Sequence, residues 1–324
     1  MKTAIQQNKY SKPHENNASF LHRFYLYQKE RFPFLGHGLL VASFSFSAIS
    51  YSRICRGAEG FVSSKTFLTG IFITITLFLL VRIFDECKDA EDDAKYRSEL
   101  PVPRGLVSLR ELALIAIIIV ILQVSVNLFF FPKMLIIYLA VIAYLLLMGK
   151  EFFVSRWLKK HQFWYVTSHM FIIPLIDMYA SGLDWKVEGA HPPKGLLFFF
   201  AVSYMNGIVL EIGRKICIPK LESEGVLTYS SLLGANKATI LWILILLLTL
   251  LLSIAASVFA GYGMAAFIVL GSVFLLCSLP AFIFLKKKSK KVSKSIEYAS
   301  ALWTIAMYLT LGGGPMISKL FFNL

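Results

Sequence analysis

The sequence predicts an all-α, polytopic membrane protein: a single bundle of about nine transmembrane helices with two cytoplasmic acidic loops. Two observations support this fold class. Of the 324 residues, 57% are hydrophobic and only 16% are charged, whereas an average soluble domain has about 25% charged residues. The apolar residues also form long runs separated by short polar segments, and roughly 20 apolar residues are enough to cross a bilayer as a helix.

Nine runs have the required length and composition. The clearest is ATILWILILLLTLLLSIAASVFA at 238–260, which contains no charged residue. In the last run, three glycines at 312–314 stand before Pro315 and predict a helix break or a close helix contact. The runs divide the chain into a polar N-terminal segment, 1–34, and a transmembrane domain, 35–324. In chain order, the predicted spans are 35–55, 66–84, 111–131, 134–149, 163–181, 195–213, 238–260, 262–285 and 298–321.

The basic residues predict the orientation of the bundle. A net charge of +14 would suggest nucleic-acid binding in a soluble protein, but here the basic residues lie in short segments between apolar runs. With a cytoplasmic N-terminus, 26 of the 33 Lys and Arg residues fall on the cytoplasmic side, which is the bias typical of integral membrane proteins. We therefore expect a multi-pass protein in contact with membrane lipid and not with nucleic acid, with both acidic loops in the cytoplasm.

The first acidic loop follows the second span. Seven of the 19 acidic residues lie between Asp85 and Glu99. Asp85, Asp89 and Asp92 are spaced i, i+4, i+7 and would share one face if the helix continued through them. Carboxylates at that spacing repel one another, and hard cations such as Mg²⁺ bind carboxylate and phosphate oxygens. The segment is therefore either a magnesium site or a solvated acidic loop balanced by its own basic residues.

A second acidic segment follows the sixth span. Glu211 lies at the membrane boundary, where burying an ionised group is costly. Arg214 and Lys215 come one turn later, and Glu222 and Glu224 follow in the loop. Two carboxylate groups with interleaved basic residues, at the mouth of an apolar bundle, suit a metal-bridged diphosphate that carries a hydrocarbon tail.

The two motifs and their placement resemble the UbiA superfamily of intramembrane prenyltransferases, which has nine transmembrane helices and Asp-rich motifs after the second and sixth. The family's first motif, NDxxDxxxD followed by a basic stretch and P-x-P-x-G, is matched by DECKDAED at 85–92 and PVPRG at 101–105. The second is matched by Glu211 and Glu222, followed by Gly225 and Thr228. Phe84 stands where the family has Asn, the first spacing is DxxxD, and Glu replaces Asp in the second motif.

The resemblance implies an Mg²⁺-dependent enzyme that ionises an isoprenoid diphosphate and transfers the prenyl group to a lipophilic acceptor. It implies that Asp85, Asp89, Asp92 and Glu211 are catalytic and that they bind Mg²⁺ together with Glu222. Lys150 either reaches the diphosphate or extends to the membrane interface. The basic residues expected to contact the diphosphate are Lys88, Arg97, Arg104, Lys150, Arg214 and Lys215.

Asp177, in the fifth span, is a further catalytic candidate because an ionisable residue inside the membrane is by default functional. Asp177 and His169 would act as a base on the acceptor or on a cation, or would form an interhelical hydrogen bond. Asn206, in the sixth span, likewise has either a functional role or an interhelical hydrogen bond. Two other functions stay open: a terpene cyclase acting on the same diphosphates and, more distantly, a membrane transporter. Transport is disfavoured because the acidic residues cluster at one end and no inverted pair of broken helices is evident.

Overall fold

A computed structural model describes residues 18–222 and 227–322, and within these ranges all regular secondary structure is helical. The prediction of an all-α bundle is confirmed. Three short 3₁₀ turns, at Pro132–Met134, Glu151–Phe153 and Pro219–Leu221, and one π turn at Leu309–Gly313 connect some of the helices. The helices are α1 (Phe20–Arg31), α2 (Phe34–Arg56), α3 (Ser64–Lys88), α4 (Ala90–Tyr96), α5 (Leu109–Phe130), α6 (Leu135–Gly149), α7 (Ser155–Lys160), α8 (Gln162–Met170), α9 (Ile172–Trp185), α10 (Leu196–Arg214), α11 (Tyr229–Leu233), α12 (Ala235–Phe259), α13 (Gly263–Lys286), α14 (Lys290–Tyr308) and α15 (Gly314–Phe322).

Seven helices in the described ranges are long and apolar enough to cross a membrane. They are α2, α3, α5, α6 with its preceding 3₁₀ turn, α10, α12 and α13. The fifth and ninth predicted spans coincide instead with interrupted helices, namely α8 with α9, and α14 with the π turn and α15. The total of nine spans therefore stays a prediction.

Proline accounts for both interruptions. Pro174 has no N–H to donate to the carbonyl of Met170, four residues earlier, and its ring crowds that turn, so the helix is interrupted between α8 and α9. In the last span, Pro315 likewise leaves the carbonyl of Leu311 without its helical donor. The hydroxyl of Tyr262 donates to that carbonyl instead.

Helix α2 packs against α3, α9, α10, α14 and the π turn. One tight approach is at the glycine run of the last span. A Cβ at Gly312 would collide with the backbone of Ser47, so only glycine permits α2 and the π turn to touch there. The close helix contact predicted for the glycine run is confirmed.

A buried charge network joins α2 to the end of α9, at the end of the bundle away from the acidic motifs. Asp184 is fully buried and accepts hydrogen bonds from Ser52 at 2.6 Å, Arg53 at 2.9 Å and Arg56 at 2.6 Å. Glu188 accepts from the same two arginines. Because breaking a buried ion pair is strongly destabilising, this network fixes the position of α9 along α2.

Candidate active site

The first acidic motif lies where α3 ends. The backbone leaves the helix at Asp89 (φ −92°, ψ 6°). Lys88 Nζ lies 3.3 Å from Asp85 Oδ1 and 3.7 Å from Asp89 Oδ1. The Lys88 side chain is 8% exposed, whereas the two carboxylate side chains are 31% and 35% exposed. Burial raises the pKa of Asp89 above its ordinary value, against the opposing charge of Lys88. The two carboxylates thus share one buried ammonium group and remain accessible on their other side.

Asp92 is separated from this pair. Because α3 ends at Lys88 and a second helix begins after Asp89, the condition for three carboxylates on one continuous helical face is not met. The Asp92 side chain is 54% exposed and pairs with Lys159 at 3.1 Å. Across 18–222 and 227–322, no three His, Cys, Asp or Glu side chains are grouped closely enough to hold a metal ion by themselves.

Aromatic side chains of α8 cover Lys88. Its Nζ donates to Tyr165 Oη at 2.7 Å, and the Tyr165 ring stacks on His169 with centroids 4.1 Å apart. His169 Nδ1 lies 2.8 Å from the carbonyl oxygen of Tyr165, whereas the buried Nε2 has no hydrogen-bond partner in the described ranges. Sequence reasoning missed Tyr165. Its position four residues before His169, on the same helical face, was the available signal.

The second acidic motif lies on the other side of His169. Glu211, in the last turn of α10, is 5% exposed. Its Oε1 lies 2.6 Å from Lys215 Nζ, and its Oε2 accepts from Arg214 Nε at 2.7 Å. Arg214 interacts electrostatically with Asp85, and His169 interacts with both Asp85 and Glu211. The structure therefore brings Asp85, Asp89 and Lys88 together with Glu211 and its two cations at one end of the bundle.

Glu222 has a different environment. Its carboxylate lies 3.9 Å from Cys217 Sγ, and none of the contacts in the described ranges joins it to Glu211. Glu224 and Gly225, which belong to the predicted second motif, lie outside the described residues. The chain returns to the charged group at Tyr229, which is buried near Glu211.

Arg97 and Arg104, two further residues that the sequence predicts to contact the diphosphate, have different partners in the structure. Arg97 pairs with Asp93 at 3.0 Å and also acts on the first motif through the charge of Asp89. Arg104 is directed to α1, where it forms a salt bridge with Glu30 at 2.6 Å. The structure thus leaves Arg97 beside the first motif, whereas Arg104 fastens the loop after α4 to α1.

Lys150 shares a groove with Lys88. The groove has a volume of about 590 Å³ and opens between the ends of α3 and α6. Apart from these two lysines, its walls are mainly apolar and include Phe84 and Phe153. A Cβ at Gly149 would collide with the Phe84 ring, so Phe84 packs directly on the end of α6. The residue that replaces the family's Asn therefore forms a wall of this groove.

Glu86, a further residue that sequence reasoning missed, anchors the first motif from behind. Its side chain is 1% exposed and forms salt bridges with Arg31 at 2.6 Å and Arg82 at 3.0 Å. A second ion pair, Arg23 with Glu111 at 2.6 Å, fastens α1 to the start of α5. Helix α1 thereby holds the end of α3 in place.

Asp177 lies deep in the bundle, away from the charged group. It is fully buried beside Ser203. Neither of its carboxylate oxygens has a hydrogen-bond partner in the described ranges, and the same is true of the amide oxygen and nitrogen of Asn206. Asp177 nevertheless lies beside Ser203 of α10, and Asn206 lies beside Tyr308 of α14, so the interhelical hydrogen bond offered as an alternative role for these two residues stays a prediction.

Comparison with known proteins agrees with this architecture. The model of the UbiA prenyltransferase family matches residues 43–311. The chain belongs to the UbiA prenyltransferase family. It is a prenyltransferase, and the resemblance drawn from its two motifs is confirmed. One solved structure, from work on a digeranylgeranylglyceryl phosphate synthase in membranes, aligns with a TM-score of 0.55 and 17% identity over 87% of this chain and 99% of that chain. At this identity the likeness concerns the fold alone. No curated protein matches the chain.

The first motif of this UbiA family member fits a magnesium ion that is bound together with a diphosphate. Mg²⁺ commonly uses one or two carboxylates and takes its other oxygens from water and substrate phosphates. Asp85 and Asp89 provide two adjacent, partly exposed carboxylates, so a group of three protein ligands is not required. Glu211 differs, because two cations already neutralise it.

Proposed function

We propose that this chain is an Mg²⁺-dependent intramembrane prenyltransferase that ionises an isoprenoid diphosphate and transfers the prenyl group to a lipophilic acceptor. One observation carries the proposal: Asp85 and Asp89, joined by Lys88, lie near Glu211 and its two cations. This charged group stands at the end of an apolar bundle. A site of this kind accommodates a charged headgroup and a hydrocarbon tail in different parts of one pocket.

Asp85 and Asp89 are the residues that would hold Mg²⁺, with Asp92 as an outlying carboxylate. When bound, Mg²⁺ stabilises the negative charge on the departing pyrophosphate as a Lewis acid. Lys88 neutralises the carboxylate pair in the absence of the metal. If Asp85 and Asp89 held the cation, the Lys88 ammonium would be available to donate to a diphosphate oxygen at the same place.

Arg214 and Lys215 supply positive charge from the opposite side. Glu211 holds both of them, so their donors are oriented before substrate arrives. Donors that are already oriented need little reorganisation as charge develops in the transition state, which is why such groups stabilise it effectively. We assign Glu211 a positioning role towards these two cations. Its coordination of a second Mg²⁺ together with Glu222 remains a prediction from the family resemblance.

Prenyl transfer requires the C1–O bond of the donor to break and its electron pair to leave with pyrophosphate. A bond then forms between C1 and the acceptor, and the acceptor loses a proton. The positive charge that develops on the allylic carbon must be kept from water. Tyr165 and Tyr229 lie beside the charged group, and aromatic faces attract cations. These rings would shield the reacting carbon at the boundary between the charged group and the apolar interior.

We infer that this end of the bundle faces the cytoplasm, because 26 of the 33 Lys and Arg residues lie in segments on that side. Labelling with a membrane-impermeant thiol reagent tests the orientation. Cys87 is exposed next to the first motif, so it is expected to react in inside-out vesicles and to be protected in right-side-out ones. Cys87→Ser provides the blank for this assay.

The activity is tested with purified protein in lipid nanodiscs, given Mg²⁺ and radiolabelled farnesyl or geranylgeranyl diphosphate. Pyrophosphate release is expected with Mg²⁺ and not with excess EDTA. Asp85→Asn is expected to lower the rate at least a thousandfold with an unchanged melting temperature. Glu297→Gln, which removes an exposed carboxylate paired with Lys294 in α14, is the matched control and should retain wild-type activity.

The products distinguish the two enzyme classes. Product that depends on an added acceptor identifies a transferase. A cyclised hydrocarbon or terpene alcohol formed without an acceptor identifies a terpene cyclase and overturns the transfer step. If the protein neither binds nor consumes an isoprenoid diphosphate in the presence of Mg²⁺, the whole proposal is wrong.

A further inference from the structure

Four polar side chains meet inside the bundle, away from the charged end. Asp177 in α9, Ser203 and Asn206 in α10, and Tyr308 at the end of α14 are each at most 3% exposed. Ser203 Oγ lies 2.9 Å from Tyr308 Oη, Asp177 lies beside Ser203, and Asn206 lies beside Tyr308. We call these four residues the interior polar cluster.

The interior polar cluster has unused hydrogen-bonding capacity. Both carboxylate oxygens of Asp177 and both polar side-chain atoms of Asn206 lack a partner in the described ranges. Burying polar groups without partners costs folding free energy, so their retention in a packed bundle indicates a ligand that completes them.

Two other buried polar residues show what a structural role looks like in this protein. Asp184, in the same helix as Asp177, is fully buried but accepts hydrogen bonds from Ser52 and two arginines. Asn127 is equally buried, donates to the Gln123 carbonyl at 2.8 Å and accepts from Tyr179 Oη at 2.9 Å. Asp184 and Asn127 are thus each held by at least two hydrogen bonds, whereas the carboxylate of Asp177 and the amide of Asn206 have open hydrogen-bonding positions.

The cluster lies below the charged end along the axis of α10. Helices α9 and α10 run antiparallel, and a Cβ at Gly207 would collide with Ile173, which aligns these two positions. Asp177 and Ser203 are each one turn deeper than that contact. At a rise of 1.5 Å per residue, Ser203 lies about 12 Å and Asn206 about 8 Å below Glu211. A molecule that touches the cluster therefore extends towards the donor headgroup.

Two members of the interior polar cluster lie near a helix interruption. Asp177 follows the break between α8 and α9, and Tyr308 immediately precedes the π turn. Interruptions of this kind inside membrane helices, and π turns in particular, frequently accompany binding sites. Here they place the polar side chains of two different spans against α10.

We propose that the interior polar cluster binds a hydroxyl group of the prenyl acceptor and positions it below the donor diphosphate, an inference that rests on the proposed transferase function. Of the two substrates, the donor carries its polar atoms in the diphosphate, which belongs at the charged end, and its chain is hydrocarbon. Only the acceptor brings a polar group into the apolar interior. A hydroxyl donates to Asp177 and accepts from Asn206. An alcohol or phenol therefore fits both open positions.

The first test compares melting temperatures of matched variants without substrate in nanodiscs. Asp177→Leu and Asn206→Leu are expected to melt at or above the wild-type temperature, because each replaces a buried polar group that has open hydrogen-bonding positions. Asp184→Leu and Asn127→Leu, the controls, are expected to melt several degrees lower. If Asp177→Leu and Asn206→Leu lose as much stability as their controls, the cluster is a structural contact bridged by water, and the inference is wrong.

The second test measures transfer from geranylgeranyl diphosphate to three hydroxyl probes: 1-hexadecanol, 4-nonylphenol and 1-O-hexadecylglycerol. For the probe prenylated fastest, Asp177→Leu and Asn206→Leu are expected to raise the acceptor KM at least tenfold. The donor KM should stay within twofold of wild type, which a general loss of structure would not allow. Asn127→Leu is expected to leave the acceptor KM unchanged.

The outcomes separate this inference from the proposed function. If wild-type protein transfers the prenyl group and the cluster variants keep the wild-type acceptor KM, only the acceptor site is refuted. Donor consumed by ring closure, with none of the three probes prenylated, also refutes it. If wild-type protein consumes no donor, the proposed function fails, and the melting comparison alone then decides whether the cluster is a ligand site.

Discussion

Replacing Lys88 by methionine removes the only positive charge that contacts both Asp85 and Asp89 among the described residues, while keeping a side chain of similar length. At 3.3 Å and 3.7 Å, with an effective dielectric constant of about 20, each carboxylate attracts the ammonium by roughly 4–5 kcal/mol before desolvation is subtracted. Mg²⁺ must compete with this attraction. Even if desolvation cancels most of it, a net release of about 1.4 kcal/mol raises Mg²⁺ affinity tenfold.

The same substitution also removes a donor for the departing pyrophosphate. Loss of one donor that stabilises transition-state charge typically costs about 10²–10³ in rate, or roughly 3–4 kcal/mol. Lys88→Met is therefore expected to bind Mg²⁺ about tenfold more tightly and to turn over at least a hundredfold more slowly. Mg²⁺ titration of pyrophosphate release measures both quantities in one experiment.

This pairing of effects is specific to the proposed role. A residue that only maintained the fold would weaken Mg²⁺ binding and slow turnover together. Lys159→Met is the matched control, because Lys159 and its partner Asp92 are both more than half exposed and such pairs contribute little. An unchanged or lower affinity of Lys88→Met for Mg²⁺, with less than a tenfold loss of rate, would refute the reasoning.

Four further substitutions have different expected effects. Asp89→Asn is expected to reduce pyrophosphate release at least a thousandfold, whereas Asp92→Asn, at an exposed position, should reduce it less than tenfold; equal losses would mean that both ligate the metal. Arg104→Gln removes a bidentate salt bridge between the largely buried Arg104 and Glu30, so it should cost about 1.5–3 kcal/mol of stability and leave the donor KM within twofold. Hydrogen bonds from the two arginines of α2 lower the pKa of Glu188 below its ordinary value of 4.5, so its stabilising contribution is present above pH 4.5 and is lost as pH falls through the lowered value. Melting curves between pH 3 and 7 should therefore show less acid sensitivity for Glu188→Gln than for wild type, and identical curves would contradict this assignment.

The placement of the two motifs was predictable because it depends on local features. Long apolar runs locate the spans, and the acidic segments directly follow two of them, so Asp85 and Glu211 are necessarily near helix ends. The interruption near Asp177 was less predictable. Pro174 was visible in the sequence, but a proline inside an apolar run can bend, break or be tolerated by a membrane helix, and the outcome depends on its neighbours.

Which partner each charge takes was not predictable from the sequence. Glu86 and Asp85 are adjacent, yet one is buried against Arg31 of α1 and the other pairs with Lys88. Arg104 was expected at the diphosphate because it belongs to the motif loop, but its salt bridge is with α1. Such pairings join residues from separate helices, and their choice depends on how the helices pack.

By itself, the sequence determined that this protein is an α-helical membrane bundle with two acidic motifs at one end. The length of each apolar run and the distribution of basic residues between the runs are local properties of the sequence, and they decide which segments cross the bilayer and in which direction. Only the tertiary structure decided that Lys88 joins Asp85 to Asp89 under Tyr165. It alone also decided that the carboxylate of Asp177 has open hydrogen-bonding positions among the described residues while Asp184, seven residues later, has three partners. The physical reason is that the burial of a side chain and its hydrogen-bond partners depend on neighbours from distant parts of the chain. Two aspartates in the same helix can therefore have opposite roles.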